Sequence, residues 1–409
     1  MILNNSIAFL CHPYHRGGVT RWMADAAMAW ATDGMQVYFV TVEPEKEFIS
    51  AKGRESMLQL LEENKDRITI ISRKVGFEFE FGTKEYREYV YKTLLAKLPK
   101  GTPVIVSDDE AVWLSATFFH KTNPVIGVLH ADEEHYYVLA KRFSGQVAAL
   151  VCVSNRVNKK TRKIIPTFDN SKIYTIPCGI NLPAFKPMEI NDAKMKLVYL
   201  GRISEYQKRT SDLVKIAEVL KAQNVDFQLN IIGDGDASRV ELERRVVEKH
   251  LENNVSFLGW LSKDNVALQL SCSDILVLTS DFEGTPIAMM EALAAGCGVV
   301  GTRVSGIEDY ENHQLASDCF SVFEVGAINE AVTKIIRLKN VLLSQRQDSA
   351  RQLAETKFSM KVCLESYSKV IDSIEISTEV YPKVFISFKE LIKSRLLATA
   401  RLIKLKTLG

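Results

Sequence analysis

Several features that mark secreted, zinc-bound or membrane-spanning proteins are missing from this 409-residue sequence. Its seven cysteines include no C-x-x-C pair, and H-E-x-x-H is absent, so a structural zinc site is not expected. An odd number of cysteines without a regular framework favours reduced thiols and a cytoplasmic setting. No apolar run approaches the roughly 18 residues of a spanning helix, and residues 1–18 lack the pattern of a signal peptide. The net charge of +2 gives no indication of a nucleic-acid partner.

The pattern of apolar segments predicts an α/β protein with two domains. A chain with 46% hydrophobic and 25% charged residues is typical of a globular protein of more than one core. A strand at 6–11, a helical face from Val19 to Trp30 and a strand at 36–42 form a β-α-β unit, which is typical of a parallel sheet covered by helices. Further strands are expected at 68–72, 103–107, 124–129, 149–154, 196–200, 227–232, 255–258, 273–278 and 299–301, and a strand with its turn at 173–181.

One stretch, residues 279–302 (TSDFEGTPIAMMEALAAGCGVVGT), places two carboxylates around a helix that is otherwise apolar. Thr285 suits an N-cap and Pro286 the first helical position. Glu283 lies in the entering loop, and Glu291 is on the second turn. A helix that is apolar all round is normally buried, so a carboxylate on it is costly unless something donates hydrogen bonds to it.

The spacing of these groups fits a nucleotide sugar. Helical side chains lean toward the N-terminus, so Glu291 reaches back roughly 5 Å toward Glu283. Between them lie free N–H groups and the positive end of the helix dipole, which suit a phosphate. The helix thus offers sites for ribose, diphosphate and sugar in that order. In the alternative interpretation, Glu291 pairs with a buried arginine and Glu283 faces water.

The residues Glu283, Gly284, Thr285, Pro286 and Glu291, followed by ALAAG, resemble the E-x7-E motif of retaining GT-B glycosyltransferases, family 4 in particular. The resemblance implies the GT-B fold, in which two doubly wound Rossmann-like domains face each other across a cleft. It spans residues 6–372. It also implies that the N–H groups near Thr285 and Ile287 help to bind phosphate.

The N-terminal half carries two further matches to the family. Gly17, Gly18 and Arg21 are similar to its glycine loop, which approaches the donor phosphate and sugar; an ordinary tight turn is the alternative. His130 directly follows a predicted strand and matches a histidine that contacts the transferred sugar. A histidine there can hydrogen-bond a hydroxyl without being a nucleophile. Alternatively, local backbone groups satisfy it.

In the C-terminal half, Arg202 and Lys208 share one strand-to-helix loop. The family carries an Arg and a Lys at this spacing to bind the diphosphate, whereas two solvated cations are the alternative. Gly233 lies in the turn after the next strand, and Leu258 is where the family's nucleobase usually binds. The segment 305–308 has one glycine where the family has two, which puts a phosphate contact there in doubt.

Two other motifs match patterns of different protein classes, but their positions in the chain do not fit those classes. Asp234-Gly235-Asp236 has the D-x-D form of metal-dependent GT-A enzymes, but it follows a strand in the manner of GT-B proteins. We therefore expect no metal and no other cofactor. Residues 296–301 spell G-x-G-x-x-G, but they precede a strand instead of joining a strand to a helix, so the dinucleotide-binding mechanism does not apply.

The expected domains are 1–185 on the acceptor side, 186–358 for the nucleotide sugar, and a helix at 359–380 that crosses back to the first domain. Residues 186–193 are the expected linker. A basic amphipathic tail, 381–409, carries six Lys or Arg residues and one Glu after residue 384. It either lies on an anionic membrane, which would make the protein peripheral, or packs on the protein body or a partner.

The resemblance implies a metal-independent retaining hexosyltransferase. It would transfer a sugar from a nucleotide sugar to a hydroxyl of a glycan or lipid-linked acceptor. A UDP-hexose is the favoured donor. The alternatives are a GT-B epimerase or phosphorylase, or a degenerate transferase that acts as a scaffold. In the implied site, Glu291 binds ribose, Arg202 and Lys208 the diphosphate, and Glu283 and His130 the sugar. Base, sugar, acceptor and oligomeric state do not follow from the sequence.

Overall fold

The first half of the protein forms a parallel sheet of seven strands in a computed structural model, which describes residues 5–11, 18–44, 66–184, 194–375 and 382–408. Strands β3 and β5 form a small separate sheet. The strands of this half are β1 (Ser6–Leu10), β2 (Gln36–Val40), β3 (Glu43–Pro44), β4 (Ile68–Ile71), β5 (Lys74–Val75), β6 (Val104–Val106), β7 (Val125–Leu129), β8 (Ala149–Cys152) and β9 (Ile173–Thr175).

The second half forms a parallel sheet of six strands. Its central strands are buried apolar runs, as expected where helices cover both faces of a parallel sheet. The strands are β10 (Met195–Leu200), β11 (Phe227–Ile232), β12 (Val255–Gly259), β13 (Ile275–Leu278), β14 (Gly298–Thr302) and β15 (Phe320–Phe323).

Helices flank both sheets. Those of the first half are α1 (Gly18–Thr32), α2 (Phe77–Phe81), α3 (Lys84–Leu95), α4 (Glu110–Thr117), α5 (Glu134–Phe143) and α6 (Asn155–Ile164). Those that follow are α7 (Glu205–Lys208), α8 (Ser211–Ala222), α9 (Asp236–Glu248), α10 (Lys263–Ser271), α11 (Ile287–Ala294), α12 (Ala316–Cys319), α13 (Ile328–Lys339), α14 (Leu343–Lys357), α15 (Met360–Asp372) and α16 (Phe388–Leu408).

The strand orders place a crevice at the carboxyl edge of each sheet. The first sheet runs β4-β2-β1-β6-β7-β8-β9 and the second β12-β11-β10-β13-β14-β15. In both, the order reverses beside the first strand of the domain, and ligands of doubly wound proteins bind at that point. The predicted fold class, two doubly wound α/β domains facing each other, is confirmed.

Helix α15 returns to the first domain after the second is complete. The ring of Tyr367 packs 5.8 Å from Trp22 and 5.7 Å from Trp30, both on α1. Ahead of the helix, the Ile180 N–H donates to the carbonyl of Phe358 at 2.8 Å. The two domains are thus joined by packing as well as by the chain. The predicted linker, 186–193, and the boundary at 185 lie outside the described residues.

Candidate active site

Helix α11 begins at Ile287, one residue later than predicted, with Pro286 as its N-cap. The prediction that Thr285 caps the helix is wrong, because its hydroxyl donates instead to the carbonyl of Val153, at 2.6 Å. Val153 follows β8 of the first domain, so the threonine joins the two domains. The N–H groups of Ile287 and Ala288 have no backbone acceptor in the part of the chain that the structure describes. They remain suited to an anion.

Glu291 is largely buried on α11. Burial raises the pKa of its carboxyl to about 7, although the charges of Lys263 and Arg21 act in the opposite direction. No hydrogen bond to this carboxylate is present among the described residues. Arg21 donates to Asp25 instead, at 3.0 Å. The pairing with a buried arginine that the sequence left open is therefore not what the protein does with Glu291.

Glu283 and Lys208 form a direct ion pair. Lys208 Nζ lies 2.5 Å from Glu283 Oε1, and both side chains are mostly shielded from solvent. Ser280 Oγ donates to the same oxygen at 2.6 Å. The sequence assigned the lysine to the diphosphate and the glutamate to the sugar, two neighbouring groups of one donor. The structure brings the two side chains to one point at the carboxyl edge of the second sheet.

The short helix α7 is bound to the loop after β13. The Thr279 hydroxyl donates to the carbonyl of Lys208 at 2.7 Å, and the Asp281 N–H to that of Gln207 at 2.9 Å. Arg202 precedes α7 and is exposed; its guanidinium donates to the side chain of Gln207 at 3.1 Å. Both predicted diphosphate ligands therefore sit on one segment, Lys208 inward and Arg202 toward solvent.

The glycines of neighbouring loops allow these strand ends to pack closely. Gly201 and Gly233 have φ of 155° and 132°. A Cβ on Gly233 would lie 1.9 Å from the carbonyl oxygen of Gly201, so a side chain cannot be accommodated there. The Gly233 N–H donates to the carbonyl of Gly259 at 2.8 Å, directly after the half-buried Leu258. The predicted Gly233 and Leu258 thus lie at the same edge as Arg202.

His130 follows β7 and is 8% exposed. Burial lowers its pKa to about 4, so the imidazole is neutral at pH 7. Nδ1 lies 3.5 Å from the Cys178 Sγ, and Nε2 is buried with no hydrogen-bond partner in the described chain. The Trp22 ring packs edge-on at 5.1 Å. No described backbone group satisfies Nε2, and the contact of His130 with a sugar stays a prediction.

Glycines allow close packing both between the two domains and within the second domain. A Cβ on Gly284 would lie 1.7 Å from the carbonyl oxygen of His130, and one on Gly306 would lie 1.4 Å from that of Gly284. On the other side, a Cβ on Gly18 would come within 3.3 Å of the Ile287 side chain. Gly18 thus faces the start of α11, and its contact with the donor stays a prediction. Gly17 lies outside the described residues.

The segment 305–308 binds the first domain. Ser305 Oγ lies 2.6 Å from Ser154 Oγ, and Glu308 accepts two hydrogen bonds from the guanidinium of Arg156, one of them at 2.6 Å. Asp309 accepts from the Asn155 N–H at 2.7 Å. The segment that departs from the family pattern therefore closes the cleft along one side.

Several residues of this region were not predicted as site residues. Ser280 lies three residues before Glu283, a spacing that could have suggested it, whereas Trp22 matched an ordinary helical core face. Asp108 has φ of +51° and accepts from the Tyr136 hydroxyl, and Asp109 caps α4. Each aspartate thus accepts hydrogen bonds near the strand end.

The side chain of Asp234 contacts neighbouring groups of the chain. The Asp234 carboxylate accepts from the N–H of Gly235 at 2.8 Å and lies 3.4 Å from Arg239. Across the described ranges, His, Cys, Asp and Glu side chains form no group of three placed to hold a metal ion.

A groove of about 760 Å³ lies at the far end of α1, lined by Met28, Met360 and Lys361 among others. None of the predicted site residues lines it.

Comparison with known proteins agrees with this geometry. The model of "Glycosyltransferase Family 4" matches residues 16–183, and that of "Glycosyl transferases group 1" matches residues 183–354. Among curated proteins, the amylovoran biosynthesis glycosyltransferase AmsK of Erwinia amylovora is 22% identical over 60% of this chain and 58% of its own length. The N-acetyl-alpha-D-glucosaminyl L-malate synthase of Bacillus anthracis is 31% identical over 37% of this chain and 38% of its own. The chain thus matches less than two thirds of these relatives.

The structure of Anabaena HepE in complex with UDP and glucose superposes with a TM-score of 0.71 at 14% identity, covering 90% of this chain and all of HepE. This likeness concerns the fold. The two matched models cover the first and second domains in turn, and the strand orders are those of a GT-B protein. The chain therefore belongs to glycosyltransferase family 4 and has the GT-B fold.

Proposed function

We propose that the protein is a hexosyltransferase that takes its sugar from a nucleotide sugar, a UDP-hexose in the first instance. The observation that carries this proposal is Glu291: a mostly buried carboxylate that has no hydrogen-bond donor among the described residues. Two vicinal hydroxyls of a ribose would supply such donors. UDP is supported by HepE, whose structure contains UDP and glucose.

The remaining groups would bind the rest of the donor in sequence. Arg202, Lys208, the glycine loop at Gly17 and Gly18, and the N–H groups of Ile287 and Ala288 would hold the diphosphate. Lys208 already neutralises Glu283, 2.5 Å away, so it would be shared between that carboxylate and the phosphate. Glu283 would then accept hydrogen bonds from hydroxyls of the sugar, and His130 would donate to another from its unpartnered Nε2.

We propose that transfer retains the anomeric configuration and needs no metal. The bond from the anomeric carbon to the diphosphate oxygen would break, and the acceptor hydroxyl would bond to that carbon on the same face. Its proton would pass to the departing phosphate oxygen, so no protein base is assigned. Developing charge on the phosphate would be stabilised by Arg202, Lys208 and the start of α11.

For the acceptor we propose a hydroxyl of a glycan or of a lipid-linked glycan, reached from a membrane surface on the cytoplasmic side. The name of AmsK, an amylovoran biosynthesis enzyme, supports a polysaccharide pathway. All seven cysteines are free thiols, which fits a reducing compartment. Among the described residues, no helix has the length and apolar character needed to cross a bilayer.

A donor panel tests the proposal. Binding and slow hydrolysis of UDP-, GDP- and ADP-sugars would be measured for the wild type and for Glu283→Gln. We expect turnover of one donor, reduced about 100-fold or more in Glu283→Gln. Asp281→Asn is the matched control, since Asp281 is exposed in the same loop and pairs with Arg209 at 3.5 Å.

Each other outcome counts against the transferase. If no nucleotide sugar binds, the proposal fails. Binding without turnover would indicate a degenerate scaffold, and an epimerised nucleotide sugar would indicate an epimerase. L-malate belongs in the acceptor panel, because the B. anthracis relative is named for a malate product.

A further inference from the structure

The tail helix α16 packs on the first domain through its small residues. Ser394 and Ala398 are buried, and the Thr83 N–H donates to the Ser394 hydroxyl at 3.0 Å. A Cβ on Gly82 would lie 2.2 Å from that hydroxyl oxygen, which shows how closely the helix approaches. One turn further, the Arg401 guanidinium donates to the carbonyl of Gly82 at 3.4 Å. These contacts fix which face of the helix points inward.

Four large apolar residues of α16 consequently point away from the protein, whereas Leu391, Leu397 and Leu402 are half-buried. Phe388, Ile392, Leu396 and Ile403 are 76, 45, 66 and 58% exposed. Their spacing of four, four and seven residues places them on one face of a helix. We call these four residues the outer stripe. A helix that merely packs on its own protein turns such residues inward, so this arrangement is the reverse of the usual one.

Basic residues flank the outer stripe. Lys389, Lys393 and Arg395 are exposed beside it, and Phe385, 86% exposed, precedes it. The one acid of the segment, Glu390, is half-buried and lies 3.4 Å from Lys393. An apolar stripe bordered by Lys and Arg is the pattern of helices that lie in the interface of an anionic bilayer.

We infer that the outer stripe inserts into the headgroup region of an anionic lipid surface, with the flanking basic residues on the lipid phosphates. This deepens the peripheral attachment proposed above by assigning the surface that makes it. A second copy of the chain fits the stripe less well, because a two-fold contact would bring equal positive charges together. The negative charge of lipid headgroups is complementary.

The attachment would orient the acceptor domain. Helix α16 lies on α2 and α3, and its Arg401 also donates to the carbonyl of Phe81 at 3.1 Å. Residues 77–88 thus lie directly beneath the tail. A lipid-bound tail would hold this side of the first domain against the membrane, where a lipid-linked acceptor is found.

Vesicle flotation of the full-length protein tests the inference. Vesicles of phosphatidylcholine would be compared with vesicles that also contain about 30 mol% phosphatidylglycerol. We expect binding to the anionic vesicles, weakened as salt rises from about 0.1 to 0.5 M. The double variant Ile392→Ser/Leu396→Ser should bind at least about tenfold more weakly, since it removes two inserted side chains.

A matched control is Val240→Ser/Val247→Ser, which changes two exposed valines of α9 in the other domain, 67 and 56% exposed. It should bind like the wild type. Equal binding of wild type to neutral and anionic vesicles, or of the Ile392/Leu396 variant and wild type, would overturn the inference. So would a wild-type dimer that this variant dissociates, because a second copy would then cover the stripe. Donor binding, measured on the same samples, reports on the transferase proposal separately.

Discussion

At the scale of single residues, the carboxylates of Asp274 and Glu291 are in opposite situations. Asp274 is 1% exposed and accepts from Arg346 at 2.6 Å and from Lys339 at 2.9 Å. Glu291 is mostly buried too, yet the causes of its raised pKa include no hydrogen bond. We propose that Glu291 receives its donors from a ligand, because an unpaired carboxylate in a mostly buried position is costly.

Glu291 predicts how stability changes with pH. Its pKa is about 7 in the folded protein and 4.5 as an exposed group, so between these values the folded state binds the proton more tightly. Stability is therefore lost as pH rises from 4.5 to 7. Glu291→Gln removes this loss, and the variant should gain up to about 3 kcal/mol relative to wild type between pH 5 and pH 8.

Urea unfolding at the two pH values measures this gain. Glu252 is exposed, so the free energy of unfolding of Glu252→Gln should differ from that of wild type by the same amount at both pH values. If the free energy of unfolding differs between Glu291→Gln and wild type by the same amount at both pH values, the Glu291 carboxylate is not desolvated in the folded protein.

The sequence indicated the charged residues of the site but not how they pair. Glu291 stood out because an apolar helix around a carboxylate is unusual. The contact between Lys208 and Glu283 joins residues 75 positions apart. It arises because β10 and β13 are neighbours, with Leu197 opposite Ile275. Periodicity gives strands without their order, so this pairing could not be predicted from the motifs alone.

At the scale of elements, the turn into α11 depends on Gly284. A methyl group there would lie 1.7 Å from the carbonyl oxygen of His130 and 2.9 Å from Val153 Cγ2. Gly284→Ala should therefore push the domains apart at the cleft. We expect the transfer rate to fall about 100-fold or more, because reacting groups must be held within a fraction of an ångström.

The kinetics of Gly284→Ala would be compared with those of Gly145→Ala. A methyl group on Gly145 has nothing within 4 Å, so that variant should match wild type. A transfer rate of Gly284→Ala equal to that of wild type would show that the close approach is not needed for activity.

The tail shows where helical periodicity fails as a guide. The sequence left open whether this amphipathic tail lies on a membrane or packs on the protein body or a partner. The structure packs Ser394 and Ala398 inward, because small residues let the helix approach Gly82. The surface on which a helix packs decides which of its faces points inward. The sequence of the helix alone does not contain that information.

At the scale of the whole molecule, contacts between domains hold the cleft closed along one side. Arg156 and Glu308 are 40 and 24% exposed, and exposed pairs of this kind contribute at most about 1 kcal/mol. Arg156→Ala should therefore leave the unfolding temperature nearly unchanged while lowering the closed fraction severalfold. Small-angle scattering should show a larger radius of gyration, and kcat/KM should fall by a similar factor.

Arg244→Ala is the control for this change. Arg244 is paired with Glu241 at 2.8 Å, far along α9 from the cleft. Its loss should alter neither the radius of gyration nor kcat/KM. An unchanged radius of gyration in Arg156→Ala would mean that other contacts, such as Ser154 with Ser305, hold the domains without it.

The two-domain architecture was predictable, because alternating strands and helices of this length recur in both halves of the chain. The closed arrangement was not. The contacts of Thr285 with Val153 and of Ser305 with Ser154 depend on how two rigid bodies meet, and no local pattern encodes that.

The central claim is that Glu291 is paired by the ribose of the donor. Its most direct test compares the affinity of UDP with that of 2′,3′-dideoxy-UDP in wild type and in Glu291→Gln by calorimetry. Wild type should prefer UDP by about 100-fold, as expected for two hydrogen bonds to a charged group, and Glu291→Gln should lose most of this preference. If the variant discriminates between the two nucleotides as strongly as wild type does, Glu291 does not bind the ribose and the claim is wrong.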